Sequence, residues 1–181
     1  MLVSEISSDS RCEEVIRLHN GNTYAEVKSD GNRIQVHKAD NVVKLFSRNL
    51  QEMNPAVFPE LEGAFKQIPC GIYEGGIVGV EDGKKGFDAI QARKTKTLDI
   101  EKARKYPLQL KFFDVLRLED ITLINQPLAQ RRAILENSVE NTSKQWQIDC
   151  GRDLENRYEK VIGAGLEGLV CKDPDSMYLI G

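Results

Sequence analysis

With 181 residues, 40% hydrophobic and 29% charged, the chain has the makeup of one soluble globular domain with a sizeable core. A net charge of −3 excludes a global basic field for nucleic acid. It leaves only local strips at Arg93-Lys94-Thr95-Lys96, Lys102 to Lys105 and Arg131-Arg132, each read first as a solvated helix or loop face. Cys12, Cys70, Cys150 and Cys171 stand far apart without C-x-x-C spacing, which argues against zinc and a disulfide framework and for reduced thiols in a cytosol. The N-terminus lacks a basic region followed by an apolar run, and no apolar stretch approaches the roughly 18 residues a spanning helix needs, so neither secretion nor a membrane is expected.

Ser8 or Asp9 can cap a helix through Val15, Ile16 and Leu18, stopped by Asn20-Gly21. Three strands are then expected in a meander: Thr23 to Lys28, Arg33 to Lys38 and Val42 to Phe46, joined by Asp30-Gly31-Asn32 and Ala39-Asp40-Asn41. Alternation places Ile34 and Val36 on one face and Arg33, Gln35 and His37 on the other, wet face. Phe58, Leu61, Ala64 and Phe65 repeat at helical spacing after Pro55 and Pro59. Ile72 to Val80 reads as a buried strand, Glu81 to Gly86 as a loop, and Phe87 to Arg93 as a helix. Leu98 to Tyr106 predicts a helix stopped by Pro107, Leu108 to Leu116 a strand, and Pro127 onward a helix with Leu128, Arg131, Ile134 and Leu135. A last helix from Leu154 to Ile162 and a strand from Gly168 to Lys172 complete an α+β domain of antiparallel sheets flanked by helices.

Chemistry concentrates at two stretches. In Glu26-Val27-Lys28-Ser29-Asp30-Gly31-Asn32-Arg33, a lysine sits at a strand end before an Asp-Gly turn. A lysine amine is a poor nucleophile until its surroundings lower its pKa, and Arg33 adds positive potential while offering a forked donor to phosphate. An ordinary exposed hairpin is the other reading of this stretch. In Leu166-Glu167-Gly168-Leu169-Val170-Cys171-Lys172, Glu167 precedes the strand and can turn into the same cleft as Lys172, joining a carboxylate and an ammonium to Lys28.

Lys-x-Asp-Gly-x-Arg followed far downstream by Glu-Gly-Leu-Val-x-Lys resembles the covalent nucleotidyltransferases, and more specifically the adenylation domain of ATP-dependent DNA ligases. Further stretches match in order. Ser47-Arg48-Asn49-Leu50 resembles the family's Ser-Arg-Asn segment, Tyr73 to Val78 its Asp-Gly-Glu strand, Phe112-Phe113-Asp114-Val115-Leu116 its aromatic-Phe-Asp strand, and Pro127-Leu128 with Arg131-Arg132 its Pro-Leu-x-x-Arg-Arg helix. The resemblance covers roughly residues 22 to 180 and implies an ATP cleft between the sheets. It implies that Lys28 attacks the α-phosphate of ATP and carries AMP to the 5′-phosphate of nicked duplex DNA, with Mg²⁺ screening the triphosphate.

By the same resemblance Glu26 meets the adenine edge, Arg33 and Arg48 the ribose and phosphates, Phe113 the adenine face, and Lys172 the phosphates. Glu167 then serves the ribose or the metal, and Glu74 the metal. Phe112 remains the alternative stacker and Arg48 an ordinary turn residue. Two departures stand out. Glu74-Gly75-Gly76 replaces Asp-Gly-Glu, so Gly76 stands where the family has a carboxylate, with Glu74 rooted about 7 Å away on the same face and activity expected to be reduced or lost. Ser176 to Gly181 resembles the run leading to the family's last lysine pair, so the chain is expected to be an adenylation domain that stops before that pair, without DNA-binding or OB-fold domains. A monomer in the cytoplasm or nucleus is expected. The alternatives are a nucleotide-binding module without turnover, an RNA ligase, or a GTP-using capping-type enzyme.

Overall fold

Short apolar runs separated by turns build two antiparallel sheets here. The computed structural model describes residues 4–5, 10–80, 84–93 and 97–179. The cap at Ser8 or Asp9, the loop residues Glu81 to Gly83, the basic residues Lys94-Thr95-Lys96 and the final Ile180-Gly181 lie outside the described residues.

In chain order the elements are β1 (Ser4–Glu5), α1 (Ser10–Leu18), β2 (Thr23–Val27), β3 (Gly31–Ala39), β4 (Val42–Ser47) and β5 (Glu52–Met53). Two 3₁₀ turns (Pro55–Val57 and Pro59–Leu61) lead into α2 (Glu62–Gln67) and β6 (Gly71–Gly79). There follow α3 (Lys84–Ala92), α4 (Ile100–Lys105), β7 (Leu108–Leu118), β8 (Ile121–Thr122), α5 (Leu128–Ser138), β9 (Gln145–Ile148), α6 (Gly151–Gly163) and β10 (Leu169–Lys172). Among the described residues no helix is long and apolar enough to cross a membrane. The chain divides into two compact units: Met1–Ser29, Ile124–Gln130 and Ser143–Gly181 form the first, Asp30–Leu123 and Arg131–Thr142 the second.

The first unit carries a four-stranded sheet in the order β1-β10-β2-β9. Ala25 lies opposite both Cys171 and Trp146, and this face packs with Val15 and Ile16 of α1 and Leu154 and Val161 of α6 into one apolar cluster. The period of two therefore sends Tyr24, Glu26, Gln145 and Lys172 to the opposite face. Helix α1 ends as its sequence demands, with Asn20 at φ 56 and Gly21 at φ 91, and the Gly21 N–H closes on the Ile16 carbonyl at 2.8 Å. Burial pushes the Cys171 thiol up to about 12, so this fully buried cysteine is an inert core residue.

The second unit carries a six-stranded sheet in the order β5-β4-β3-β6-β7-β8. Its core face joins Ile34, Val36, Leu45, Tyr73, Ile77 and Phe112 to Phe58, Leu61 and Phe65 below. β3 pairs with β4 as expected, but the meander does not include the preceding strand. β2 belongs to the first sheet, whereas β3 pairs with β4 and β6. Asp30-Gly31 is thus a crossover between sheets and not a hairpin turn. Gly31 is needed for another reason: a Cβ there would stand 2.5 Å from the Ile77 carbonyl oxygen and 2.7 Å from Val78 Cγ1.

Arg93 of the first basic strip, and Arg131 and Arg132 of the last, are built into the protein. Arg93 is 4% exposed, pairs with Glu60 at 2.5 Å and donates to the Val57 carbonyl at 2.9 Å. Arg131 and Arg132 are 2% and 4% exposed, so the expectation of a solvated helix face fails there. Lys102, Arg104 and Lys105 on α4 do face solvent.

The turn after β4 holds one strained residue. Leu50 takes φ 58 with 70% of its surface exposed, donating to the Ser47 carbonyl at 2.9 Å. The left-handed conformation costs a residue with a Cβ about 1–2 kcal/mol, against about 0.5–1 kcal/mol of extra chain entropy for glycine. Leu50→Gly is therefore expected to raise stability by about 0.5 kcal/mol, read as a higher denaturant midpoint; a lower midpoint would contradict this account of the turn.

Candidate functional site

In the first unit, Lys28 follows directly on β2. Its backbone N–H donates to the Gly168 carbonyl at 2.8 Å, continuing the ladder one step past the strand. Gly168 does this at φ 148, a conformation that residues with a Cβ rarely adopt. The Lys28 Nζ lies 2.5 Å from Glu167 Oε1, with side chains 31% and 45% exposed. The expected meeting of Lys28 with the Glu167 carboxylate is thus present. A lysine amine held by a carboxylate can act as a nucleophile only after it leaves that partner and frees its lone pair.

Lys172 goes elsewhere. Its Nζ donates to Glu26 Oε1 at 3.0 Å, and the Ser143 hydroxyl donates to Glu26 Oε2 at 3.1 Å. Glu26 and Lys172 are 6% and 7% exposed, so each compensates a charge the other would leave stranded. Gln145 stands directly across the ladder from Glu26, and both its amide atoms are buried without a hydrogen-bond partner among the described residues. Leaving such a group unpaired costs about 1–3 kcal/mol. Sequence reasoning missed both Ser143 and Gln145, which only the pairing of β9 with β2 brings beside Glu26.

In the second unit the face of the sheet opposite the core is polar. Arg33 Nε donates to Glu74 Oε2 at 2.7 Å and Gln35 Nε2 to Glu74 Oε1 at 2.9 Å. Gln35 Oε1 meets His37 Nε2 at 2.6 Å, and burial holds the His37 imidazole below its usual range despite the pull of Glu74. Glu74 faces Asp114 across the ladder, and Arg131 neutralises Asp114 through two bonds, Nε to Oδ1 at 2.8 Å and Nη2 to Oδ2 at 2.9 Å. Two adjacent carboxylates coexist because each has its own arginine.

Phe112 and Phe113 separate cleanly. Phe112 is fully buried against Tyr73 at a centroid distance of 5.4 Å, whereas Phe113 sits partly exposed at a register shift, with the Arg33 guanidinium 5.9 Å from its ring centre. Arg48 is exposed on the turn after β4 and makes no hydrogen bond or ion pair among the described residues. Gly76 lies opposite Arg33 on one side and Lys111 on the other, and a Cβ there would meet only Val78 Cγ1, at 3.7 Å.

As for a divalent ion, Glu74 is 3% exposed with both oxygens engaged, so an ion there would have to displace two donors. Glu167 is the more open carboxylate. Among the described residues, the group of three potential ligands that gathers is Asp149, Cys150 and Asp153, which includes neither glutamate.

Comparison with solved structures assigns the class of fold. The chain is similar to the ligase domain from M. tuberculosis LigD, with TM-score 0.71, 23% identity, and 88% of this chain and 50% of that chain covered. It is also similar to the ATP-dependent DNA ligase of bacteriophage T7, with TM-score 0.58, 21% identity, and 99% and 64% covered. The fold is that of the ligase nucleotidyltransferase domains. Within that class, the family described as "ATP dependent DNA ligase domain" matches residues 1–181, and the chain belongs to it. It is 32% identical to a DNA ligase of Pyrobaculum islandicum over all of this chain and 32% of that protein. It is 37% identical to DNA ligase 2 of Methanosarcina acetivorans over all of this chain and 34% of that protein. The chain thus spans about a third of the length of the curated relatives it matches.

Proposed function

We infer that this chain carries the adenylyl-transfer step of an ATP-dependent DNA ligase. The observation that carries the reading is Lys28 held at a strand end, its backbone fixed to Gly168 and its ammonium resting on the exposed Glu167. The relatives named above are DNA ligases, and a mycobacterial DNA ligase D of the same fold is complexed with ATP.

In this reading the Lys28 Nζ, released from Glu167 and deprotonated, forms a bond to the α-phosphorus as the bond to the bridging oxygen breaks, and pyrophosphate leaves. AMP then remains on Lys28 through a P–N bond. It passes to the 5′-phosphate of nicked duplex DNA, whose 3′-hydroxyl displaces it. In the second unit Arg33 and Arg48 have donors suited to ribose and phosphate oxygens and Phe113 a partly exposed ring suited to adenine; in the first unit Glu26 suits the base edge. Lys172, assigned to the phosphates by family position, fixes the Glu26 carboxylate in the observed arrangement. Mg²⁺, when bound, screens the triphosphate charge, and Glu167 is the carboxylate best suited to hold it. The chain acts as a monomer, in the compartment that holds DNA.

A phosphoramidate resists alkali and is cleaved by acid. Incubation with α-labelled ATP is therefore expected to leave protein-bound label that survives alkali and is lost in acid, whereas acid-stable label would contradict a P–N link. One observation favours a second reading, nucleotide binding without turnover: position 76 lacks the carboxylate that the family pattern places there. It predicts saturable ATP binding with no covalent label.

A further inference from the structure

We propose that Gln145 is a base-specificity residue that pairs with the adenine edge beside Glu26; this rests on the reading that a nucleotide binds this face of the four-stranded sheet. Residues directly opposite in an antiparallel pair point to the same face, and Gln145 is the direct partner of Glu26. Around them the polar groups are otherwise satisfied: Lys172 and Ser143 both donate to the Glu26 carboxylate. Gln145 alone among these four brings an amide that is buried with neither its donor nor its acceptor paired among the described residues. A buried amide kept in this condition is penalised in the free protein, and a ligand that supplies both partners relieves the penalty.

The chemistry selects the ligand. A carboxylate is an acceptor only, so Glu26 can accept a hydrogen bond from the adenine 6-amino group but offers nothing to a ring nitrogen. A carboxamide both donates and accepts, which matches the adjacent amino donor and ring-nitrogen acceptor of adenine. Guanine in the same pose turns its O6, an acceptor, toward the carboxylate. Glu26 and Gln145 together therefore read adenine more sharply than either alone.

The test is equilibrium titration of AMP and GMP, which cannot react, into the 181-residue chain and its Gln145→Met and Gln145→Ala variants, with melting of the nucleotide-free proteins alongside. Both variants are expected to weaken AMP binding about tenfold and to leave GMP binding unchanged, so that the AMP preference falls about tenfold. Gln145→Met, which keeps the volume and removes the unpaired amide, is expected to melt no lower than the wild type. Unchanged AMP affinity, or equal losses for AMP and GMP, would overturn the proposal, and so would a wild type that binds neither. A wild type that binds AMP with this Gln145 dependence but takes no label from ATP would leave the base contact standing and remove the catalytic reading.

Discussion

Gly76→Glu is expected to speed AMP-adduct formation about tenfold or more, the scale on which a single well-placed electrostatic group acts. The register makes the site for that carboxylate explicit. Position 76 lies between Arg33 and Lys111 on neighbouring strands, all on the polar face, and a Cβ there meets only Val78 Cγ1 at 3.7 Å. A glutamate side chain therefore enters open space flanked by two cations, and it replaces a glycine that weakens a strand interior by about 0.5–1 kcal/mol relative to alanine. Glu74 cannot serve in its place while Arg33 and Gln35 hold both its oxygens. The neighbouring Gly75→Glu is the control: its Cβ would stand 3.0 Å from the Lys111 carbonyl oxygen and 3.2 Å from Leu110 Cδ1, on the core face, so it should destabilise without activating. Single-turnover labelling that gives the same rate for wild type and Gly76→Glu would show that position 76 plays no part in the step.

Arg131→Met is expected to cost about 3–5 kcal/mol of stability, which for a chain of this size lowers the melting temperature by roughly 10 °C. The cause is electrostatic. The substitution strands the 7% exposed Asp114, directly across the ladder from the 3% exposed Glu74, with its two-pronged partner gone. Arg132→Met should cost far less, because Arg132 pairs with Glu136, which is 51% exposed and one helical turn away. Circular dichroism melts of the two variants compare these effects directly; a shift under 2 °C for Arg131→Met would mean that Asp114 finds another partner.

Local pattern revealed what local physics determines. Alternation in β3 correctly put Ile34 and Val36 in the core and Arg33, Gln35 and His37 on the other face, and Asn20-Gly21 ended its helix where a left-handed turn was expected. Glu167 was rightly brought to Lys28, because a glutamate just ahead of a strand is free to turn. Pairing between distant segments was not legible. Asp30-Gly31 carries the composition of a hairpin, yet its glycine answers the close approach of β6. β9 was missed because four residues with two glutamines give little apolar signal, although Trp146 and Ile148 do alternate inward; with it went Ser143 and Gln145. The burial of Arg131 depends on Asp114, and nothing in an Arg-Arg pair on a helix announces a buried partner on a distant strand.

The central claim, that Lys28 becomes adenylylated, is tested most directly by intact mass of the protein after incubation with ATP and Mg²⁺, beside Lys28→Ala. The account predicts that the wild type gains the mass of one adenylyl group and that Lys28→Ala gains none while keeping its fold by circular dichroism. An unchanged wild-type mass in the presence of saturating ATP, or an equal gain in Lys28→Ala, would contradict it.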